Sequence, residues 1–274
     1  MKLLARNYKR IVIKIGSSLF YTAKNLDTLR LFGIVSTISE LIKIEEKEVI
    51  IVSSGAIALG MSSMKLKTRP KELSFLQAAA AIGQNILMDN YSEYFRKYGI
   101  TCAQVLLTRD DFDNRQRYLN AKNTLSTLLK LGVVPVINEN DTISTEEIKF
   151  GDNDRLSALV ATLINADLLI ILSDVDGLLD KNRKIIRIVN EITPQIKALA
   201  CPTDKKTCVG GMITKIEAAK IAMDSGIPCI IANGRVKGII KSVMKEPDEH
   251  GTMFSPKKSL AARQRWIAFG TKPR

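Results

Sequence analysis

The chain has 274 residues, with 41 lysines and arginines against 28 aspartates and glutamates, and one histidine, His250. That length is enough for one large domain or two modest ones, and a hydrophobic share of 46% with 25% charged residues excludes wholesale disorder. No apolar run reaches the ~18–20 residues needed to cross a bilayer, and a lone histidine excludes multi-histidine metal chemistry.

The start of the chain does not read as a secretory signal, because Lys9, Arg10 and Lys14 interrupt its apolar residues. The four cysteines, Cys102, Cys201, Cys208 and Cys229, form no C-x-x-C pair and no evident disulfide framework, which points to a reducing, cytoplasmic setting. Of the net charge of +13, residues 1–10 supply +4 and residues 257–274 supply +6. A near-neutral body with basic ends favours solvated termini over nucleic-acid binding.

In chain order, RIVIKI (10–15) reads as a buried strand followed by the polar turn Gly16-Ser17-Ser18. An amphipathic stretch over about 26–45 precedes a second strand, EVIIVSS (48–54), and then Gly55 to Gly60, a small-residue turn entering a helix. The alanine-rich stretch 71–98 is helical by composition. TCAQVLL (101–107) reads as a strand, 114–131 as a helix and VVPVIN (133–138) as a strand. The second half continues with a helix over 154–165, a continuous apolar strand DLLIILSD (167–174) and a hairpin within 178–189. A helix over 212–225, the strand IPCIIAN (227–233) and a last helix over 236–244 follow. Strand–helix alternation with nearly continuous apolar strands predicts an α/β fold whose mostly parallel sheet is covered on both faces.

Ligands of such sheets bind beyond the carboxyl ends of the strands. The polar and glycine-rich clusters fall there: Lys14 to Ser18, Ser53 to Ala56, Asn138 to Asp141, Ser173 to Gly177 and Gly210 to Met212, with Gly151-Asp152-Asn153-Asp154 in addition. Any single βα turn favours Gly, Ser and Asp, but turn chemistry alone does not account for so many at successive strand ends. Glycine turns opening helices suit phosphate, yet neither a P-loop nor a G-x-G-x-x-G run after a strand is present. Lys14 lies inside an apolar strand, so it either pairs with an anion or snorkels to solvent. Lys215, one turn into its helix, reads by itself as an ordinary surface lysine.

Taken together, the segments KIGSSLF (14–20), VSSGAIALG (52–60), AIGQ (81–84), LLTRDDF (106–112), PVINEND (135–141), KFGDNDRLSA (149–158), LSDVDGL (172–178), GGMITKIEAA (210–219) and GTMF (251–254) resemble the amino acid kinase family. Within it they resemble the members that phosphorylate the γ-carboxylate of free L-glutamate with ATP, giving L-glutamyl 5-phosphate in proline biosynthesis. The resemblance covers essentially the whole chain.

It implies a single domain with a three-layer αβα sandwich: an amino-acid lobe over about 1–150, an ATP lobe over about 151–260 and a basic tail over 261–274. It further implies catalytic roles for Lys14, Lys215, Asp152 and Asp154, and substrate binding by Ser54, Asp141 and Asn153. ATP would be held by Lys14, Ser173, Asp174, Val209, Gly210, Gly211, Met212, Ile213, Thr214 and Lys215. Mg²⁺ would arrive with ATP and be held largely by its phosphates, with no dedicated protein metal site. The resemblance also suggests a homo-oligomer, a dimer or tetramer, and coupling to a glutamyl phosphate reductase, with no membrane partner.

Two departures stand out. The family's Gly-Thr-Gly-Gly-Met turn reads Cys208-Val209-Gly210-Gly211-Met212 here, which removes a hydroxyl that could meet phosphate. Many members also continue past a motif like RWIAFG (265–270) into a small RNA-binding-like (PUA) domain, so the expectation is a short form without it. Two alternatives remain: a kinase for another carboxylate such as N-acetylglutamate, and a non-catalytic nucleotide- or nucleic-acid-binding regulator.

Overall fold

The computed structural model describes residues 8–19, 27–143, 153–200 and 211–256. In its first half, β1 (Arg10–Ile15) leads through a 3-10 turn (Ser17–Leu19) to α1 (Thr28–Lys43) and β2 (Glu48–Ser53). Then come α2 (Ala56–Ser63), α3 (Leu73–Arg96), β3 (Cys102–Leu107), α4 (Asp110–Asp113), α5 (Arg115–Lys130) and β4 (Val134–Glu139). The second half holds α6 (Asn153–Leu163), β5 (Leu168–Ser173), β6 (Ile188–Val189), α7 (Pro194–Leu199), α8 (Met212–Asp224), β7 (Cys229–Asn233), α9 (Ile239–Lys245) and β8 (Thr252–Phe254). Helix starts follow local chemistry. The Asp27 side chain accepts from the Arg30 N–H to cap α1, and Asn114 accepts from Gln116 and Arg117 to cap α5.

The strands form one eight-stranded sheet in the order β3-β4-β2-β1-β5-β7-β8-β6. Pairing is parallel throughout except between β7 and β8. Strand alternation sorts the core into two layers. Ile11, Ile13 and Ile15 of β1 pack with α1, α3 and α9, while Val12 packs on the opposite face with residues of α6 and α8. The central strands are buried on both faces, as their continuous apolar runs predict, and the architecture is the expected three-layer sandwich. Lys14 continues the Val12 side of the alternation, so its side chain leaves β1 toward α6.

Three features differ from the sequence expectations or refine them. Gly55 is the left-handed N-cap of α2 at φ 105°, and Gly60 lies inside the helix rather than at its entry. The 178–189 stretch does turn back on itself, through an antiparallel bridge between Leu179 and Ile185, but its end forms β6 and pairs in parallel with β8. The short α4, α7 and β8 carry too few residues for a periodicity to register.

Helices α2 and α3 cross at backbone contact. A Cβ at Gly60 would collide with the Ala79 carbonyl oxygen, and one at Gly83 with that of Ala56. Small residues are therefore required where these helices meet, which holds the start of α2 rigidly against α3.

Candidate active site

Chain connections diverge on either side of β1, toward β2 on one flank and β5 on the other, which makes its carboxyl end the topological switch point. A cavity of about 360 Å³ opens there. Its walls are the turns after β1 (Gly16, Ser17, Ser18), β2 (Ser54 to Ala58), β4 (Glu139, Asp141) and β5 (Ser173, Asp174), closed by the first residues of α6 and α8.

At its floor the Lys14 Nζ lies 2.6 Å from Asp154 Oδ1, and the Lys215 Nζ donates to Asp154 Oδ2 at 3.1 Å. Lys14 and Lys215 are each only 7% exposed, so neither lysine is the solvated residue that its sequence context allowed. The Thr214 hydroxyl donates to the same Oδ2 at 2.7 Å, and Lys215 also donates to the Gly211 carbonyl at 3.2 Å. Burial would raise the Asp154 pKa, but the two ammonium groups overcome it and hold the carboxyl below its ordinary range. Two lysines on one carboxylate leave an excess positive charge at the cavity floor, among the described residues, and a buried excess charge favours an anionic ligand.

The other end of the cavity is polar and acidic. The Asn153 amide donates to the Ser53 carbonyl at 2.9 Å, to the Ser54 hydroxyl at 2.9 Å and to Asn138 Oδ1 at 3.0 Å. Asn153 Oδ1 is buried and has no hydrogen-bond partner among the described residues. Burial, with repulsion from Glu139, pushes the Asp141 carboxyl up to about 7 against the opposing charge of Arg69. An acidic pair and an arginine thus share one end of the cavity.

Of the residues singled out from the sequence, Lys14, Ser54, Asp141, Asn153, Asp154, Ser173, Asp174, Gly211, Thr214 and Lys215 all line this one cavity. Met212 and Ile213 form the first turn of α8 behind Gly211 but are not among its lining residues. Asp152, Val209, Gly210 and the Cys208 substitution lie outside the described residues, as do Cys201 and residues 1–7 and 257–274, whereas Lys9 and Arg10 of the basic start are described, their backbone N–H groups donating to Asp167 and the Arg10 side chain pairing with Glu48 at 2.7 Å. Among the described residues Cys102 and Cys229 are free thiols. Sequence reasoning missed Arg69, in a polar stretch with no distinguishing pattern, and did not assign roles to Asn138 or Gln84. No group of three or more His, Cys, Asp or Glu able to hold a metal occurs among the described residues. Nor is any helix among them long and apolar enough to cross a membrane.

Residues 9–233 match the amino acid kinase family. Curated relatives named glutamate 5-kinase include one from Thermoanaerobacter sp., 46% identical over 96% of this chain and 72% of the relative. Another, from Caldanaerobacter subterraneus subsp. tengcongensis, is 47% identical over 96% of this chain and 72% of its own length. A third, from Clostridium acetobutylicum, is 46% identical over 92% of this chain and 96% of the relative. With a family match over most of its length and relatives at 46–47% identity, the chain belongs to the amino acid kinase family.

Proposed function

We propose that this protein transfers the γ-phosphoryl group of ATP to the γ-carboxylate of L-glutamate, forming L-glutamyl 5-phosphate and ADP as the first step of proline biosynthesis. The observation that carries the reading is the Lys14–Asp154–Lys215 cluster at the switch point, where the acidic end of the cavity meets the turn that opens α8. The names of the similar proteins supply the substrate.

The chemistry needs little from the protein beyond placement and charge. A γ-carboxylate with an ordinary pKa of roughly 4.3 is already ionised at neutral pH, so its attack on phosphorus requires no general base. Lys14 and Lys215 offset the charge on the phosphoryl oxygens in flight, and Asp154 holds both ammonium groups at fixed positions. Gly211 and the amino-terminal turn of α8 direct backbone N–H groups and a positive dipole end at the nucleotide phosphates. Ser173, Asp174 and residues 209–215 would hold the rest of ATP, so the ATP lobe falls after residue 151 and the amino-acid lobe before it.

At the acidic end, Asp141 faces the substrate ammonium and Arg69 adds positive charge nearby, which suits a zwitterion. An N-acetylated substrate would leave the Asp141 carboxylate unpaired, and this argues against the acetylglutamate alternative. Mg²⁺ supplies charge neutralisation on the phosphates when bound. With both Asp154 oxygens engaged by lysines, the donor set fits an ion held mainly by phosphates and water, with Asp152 as an assisting carboxylate. A cytoplasmic homo-oligomer that passes its labile acyl phosphate to a reductase belongs to the same reading.

The test is ADP release with trapping of the acyl phosphate by hydroxylamine. Glutamate-dependent ADP release with stoichiometric hydroxamate, and none with N-acetylglutamate, is the expected result. Absence of glutamate-dependent turnover would favour the regulatory alternative.

A further inference from the structure

Free glutamate brings three charged groups to the cavity, and Lys14, Lys215 and Asp141 answer two of them. The γ-carboxylate meets the phosphoryl group at the lysine floor, and the α-ammonium group meets Asp141. The α-carboxylate is attached to the same carbon as the ammonium nitrogen, and its carbon lies about 2.5 Å from that nitrogen by standard bond lengths and angles. Wherever Asp141 fixes the ammonium, the α-carboxylate therefore falls at the same end of the cavity. Glu139 lines that end as well, so a carboxylate there with no cation beside it would be repelled.

The cavity wall supplies a cation at that end. Among the described residues three cationic side chains line the cavity: Lys14, Lys215 and Arg69. The two lysines each contact an oxygen of Asp154, at 2.6 and 3.1 Å, and serve the phosphoryl end. Arg69 belongs to the other end, where its positive charge acts on the Asp141 carboxyl. It sits in the segment 64–72 that joins α2 to α3, two helices held together by the close crossing at Gly60 and Gly83. Pro70 follows it and favours an extended backbone at Arg69. The residue is exposed, so a ligand in the cavity can reach its guanidinium. That group carries five N–H donors in a planar fork, and an acid on one edge leaves another edge for a second carboxylate.

We infer that Arg69 is a specificity-determining residue that binds the α-carboxylate of the substrate, so that Asp141 and Arg69 together select an α-amino acid over an amine or an amino acid amide. The inference rests on the proposed glutamate site and assigns the remaining charged group of that substrate. Asp141 by itself would accept any ammonium group of the right reach; the guanidinium adds the requirement for a carboxylate on the neighbouring carbon.

The experiment compares Arg69→Met and Arg69→Glu with the parent on L-glutamate and on L-isoglutamine, in which the α-carboxylate is a neutral amide while the γ-carboxylate and the ammonium are kept. Hydroxamate formation gives kcat and KM, and where isoglutamine turns over slowly its Ki against glutamate is read instead. Arg69→Met should raise KM for glutamate about 20-fold, the scale of one charge-assisted hydrogen bond, with the loss in KM rather than in kcat. The constant for isoglutamine should move less than about 3-fold, so the preference for glutamate falls by nearly 10-fold. Loss of the Arg69 charge also raises the Asp141 pKa, which weakens the hold on the ammonium of both compounds alike and cancels in the preference. Arg69→Glu places a carboxylate against the α-carboxylate and should shift the preference toward isoglutamine by a further factor of about 3 or more. Equal losses on glutamate and isoglutamine would show Arg69 acting through Asp141 alone. That result, an unchanged KM for glutamate in Arg69→Met, or equal preferences in the two variants would each overturn the inference. A parent enzyme without glutamate-dependent turnover would instead overturn the proposed function, so the two failures are distinct.

Discussion

Replacing Asp154 with asparagine is the sharpest perturbation the site permits, because it keeps the shape of the side chain and deletes one charge. In the parent, both carboxylate oxygens are in contact with buried ammonium groups, at 2.6 Å from Lys14 and 3.1 Å from Lys215. Asp154→Asn leaves those two lysines facing one another across a neutral amide. Removing one partner of a buried ion pair typically costs about 3–5 kcal/mol. An independent bound gives a similar figure. One lysine can escape by releasing its proton, and at pH 7.5, against an ordinary lysine value of roughly 10.4, that costs about 4 kcal/mol.

The two routes agree on a loss of about 4 kcal/mol in urea unfolding at pH 7.5, large beside typical surface substitutions of within about 0.5 kcal/mol. The proton-release route also fixes a direction. Neutralising a lysine costs less as pH rises, so the difference between variant and parent should shrink by about 1.4 kcal/mol per pH unit above 7.5 and vanish near the ordinary lysine value. Adding Lys215→Met removes one of the stranded charges. The double variant should therefore lie closer to the parent than the two single losses added together, by about 2 kcal/mol of coupling. A single-variant loss under about 1 kcal/mol, independent of pH and additive with Lys215→Met, would show that the lysines are neutralised elsewhere, and would refute the charge argument.

Two further outcomes are expected. With Asp141 held up to about 7 by burial and by Glu139, the acid is ionised above that pH and neutral below it, so an ammonium substrate loses its partner as pH falls. The kcat/KM for glutamate should drop about 10-fold per pH unit below 7, measured by initial rates from pH 5.5 to 8.5; Asp141→Asn should erase that dependence, and an unchanged profile would remove Asp141 from ammonium recognition. The second outcome separates two helical glycines: Gly33 in α1 has open space where a Cβ would be, whereas Gly83 in α3 meets the Ala56 carbonyl. Gly33→Ala should raise stability by about 0.8 kcal/mol and Gly83→Ala should lower it by about 3 kcal/mol, so equal effects in thermal unfolding would contradict the close crossing of α2 and α3.

What could be read from the sequence depended on whether the signal was local. The runs RIVIKI, EVIIVS and LLIILS announce doubly buried strands because each is nearly continuous apolar sequence, and the sheet places them side by side in β1, β2 and β5. The turns at strand ends were equally visible, since glycine, serine and aspartate mark them within a few residues. The short β8 was not: three residues carry no period, and its antiparallel pairing with β7 is set by the path of the chain around it. Gly60 read as part of a turn because a helix-interior glycine is locally costly; it is kept by contact with a helix that follows later in the chain, and no local signal reports that contact.

The same division explains the site. A lysine inside an apolar strand says by itself that a counter-charge or an escape route to solvent must exist, because leaving it bare costs more than the strand gains. It cannot say which, since the answer is a side chain at the start of α6 that only the parallel crossover brings beneath β1. Once Asp154 is there, Lys215 becomes the second requirement: a carboxylate balanced by Lys14 alone would make the floor neutral, with no excess charge to hold an incoming phosphate. The amides of Asn153 and Asn138, hydrogen-bonded to one another at 3.0 Å, obey the same logic in neutral form. Each amide is unremarkable where it stands in the sequence, and its direction is decided by two backbone groups, the Ser53 carbonyl and the Glu139 N–H, that come together only when β2 and β4 pair. Charge at one end of the cavity and hydrogen-bond direction at the other are both consequences of strand order, which is why residues of ordinary type, spread over most of the chain, can act as one site.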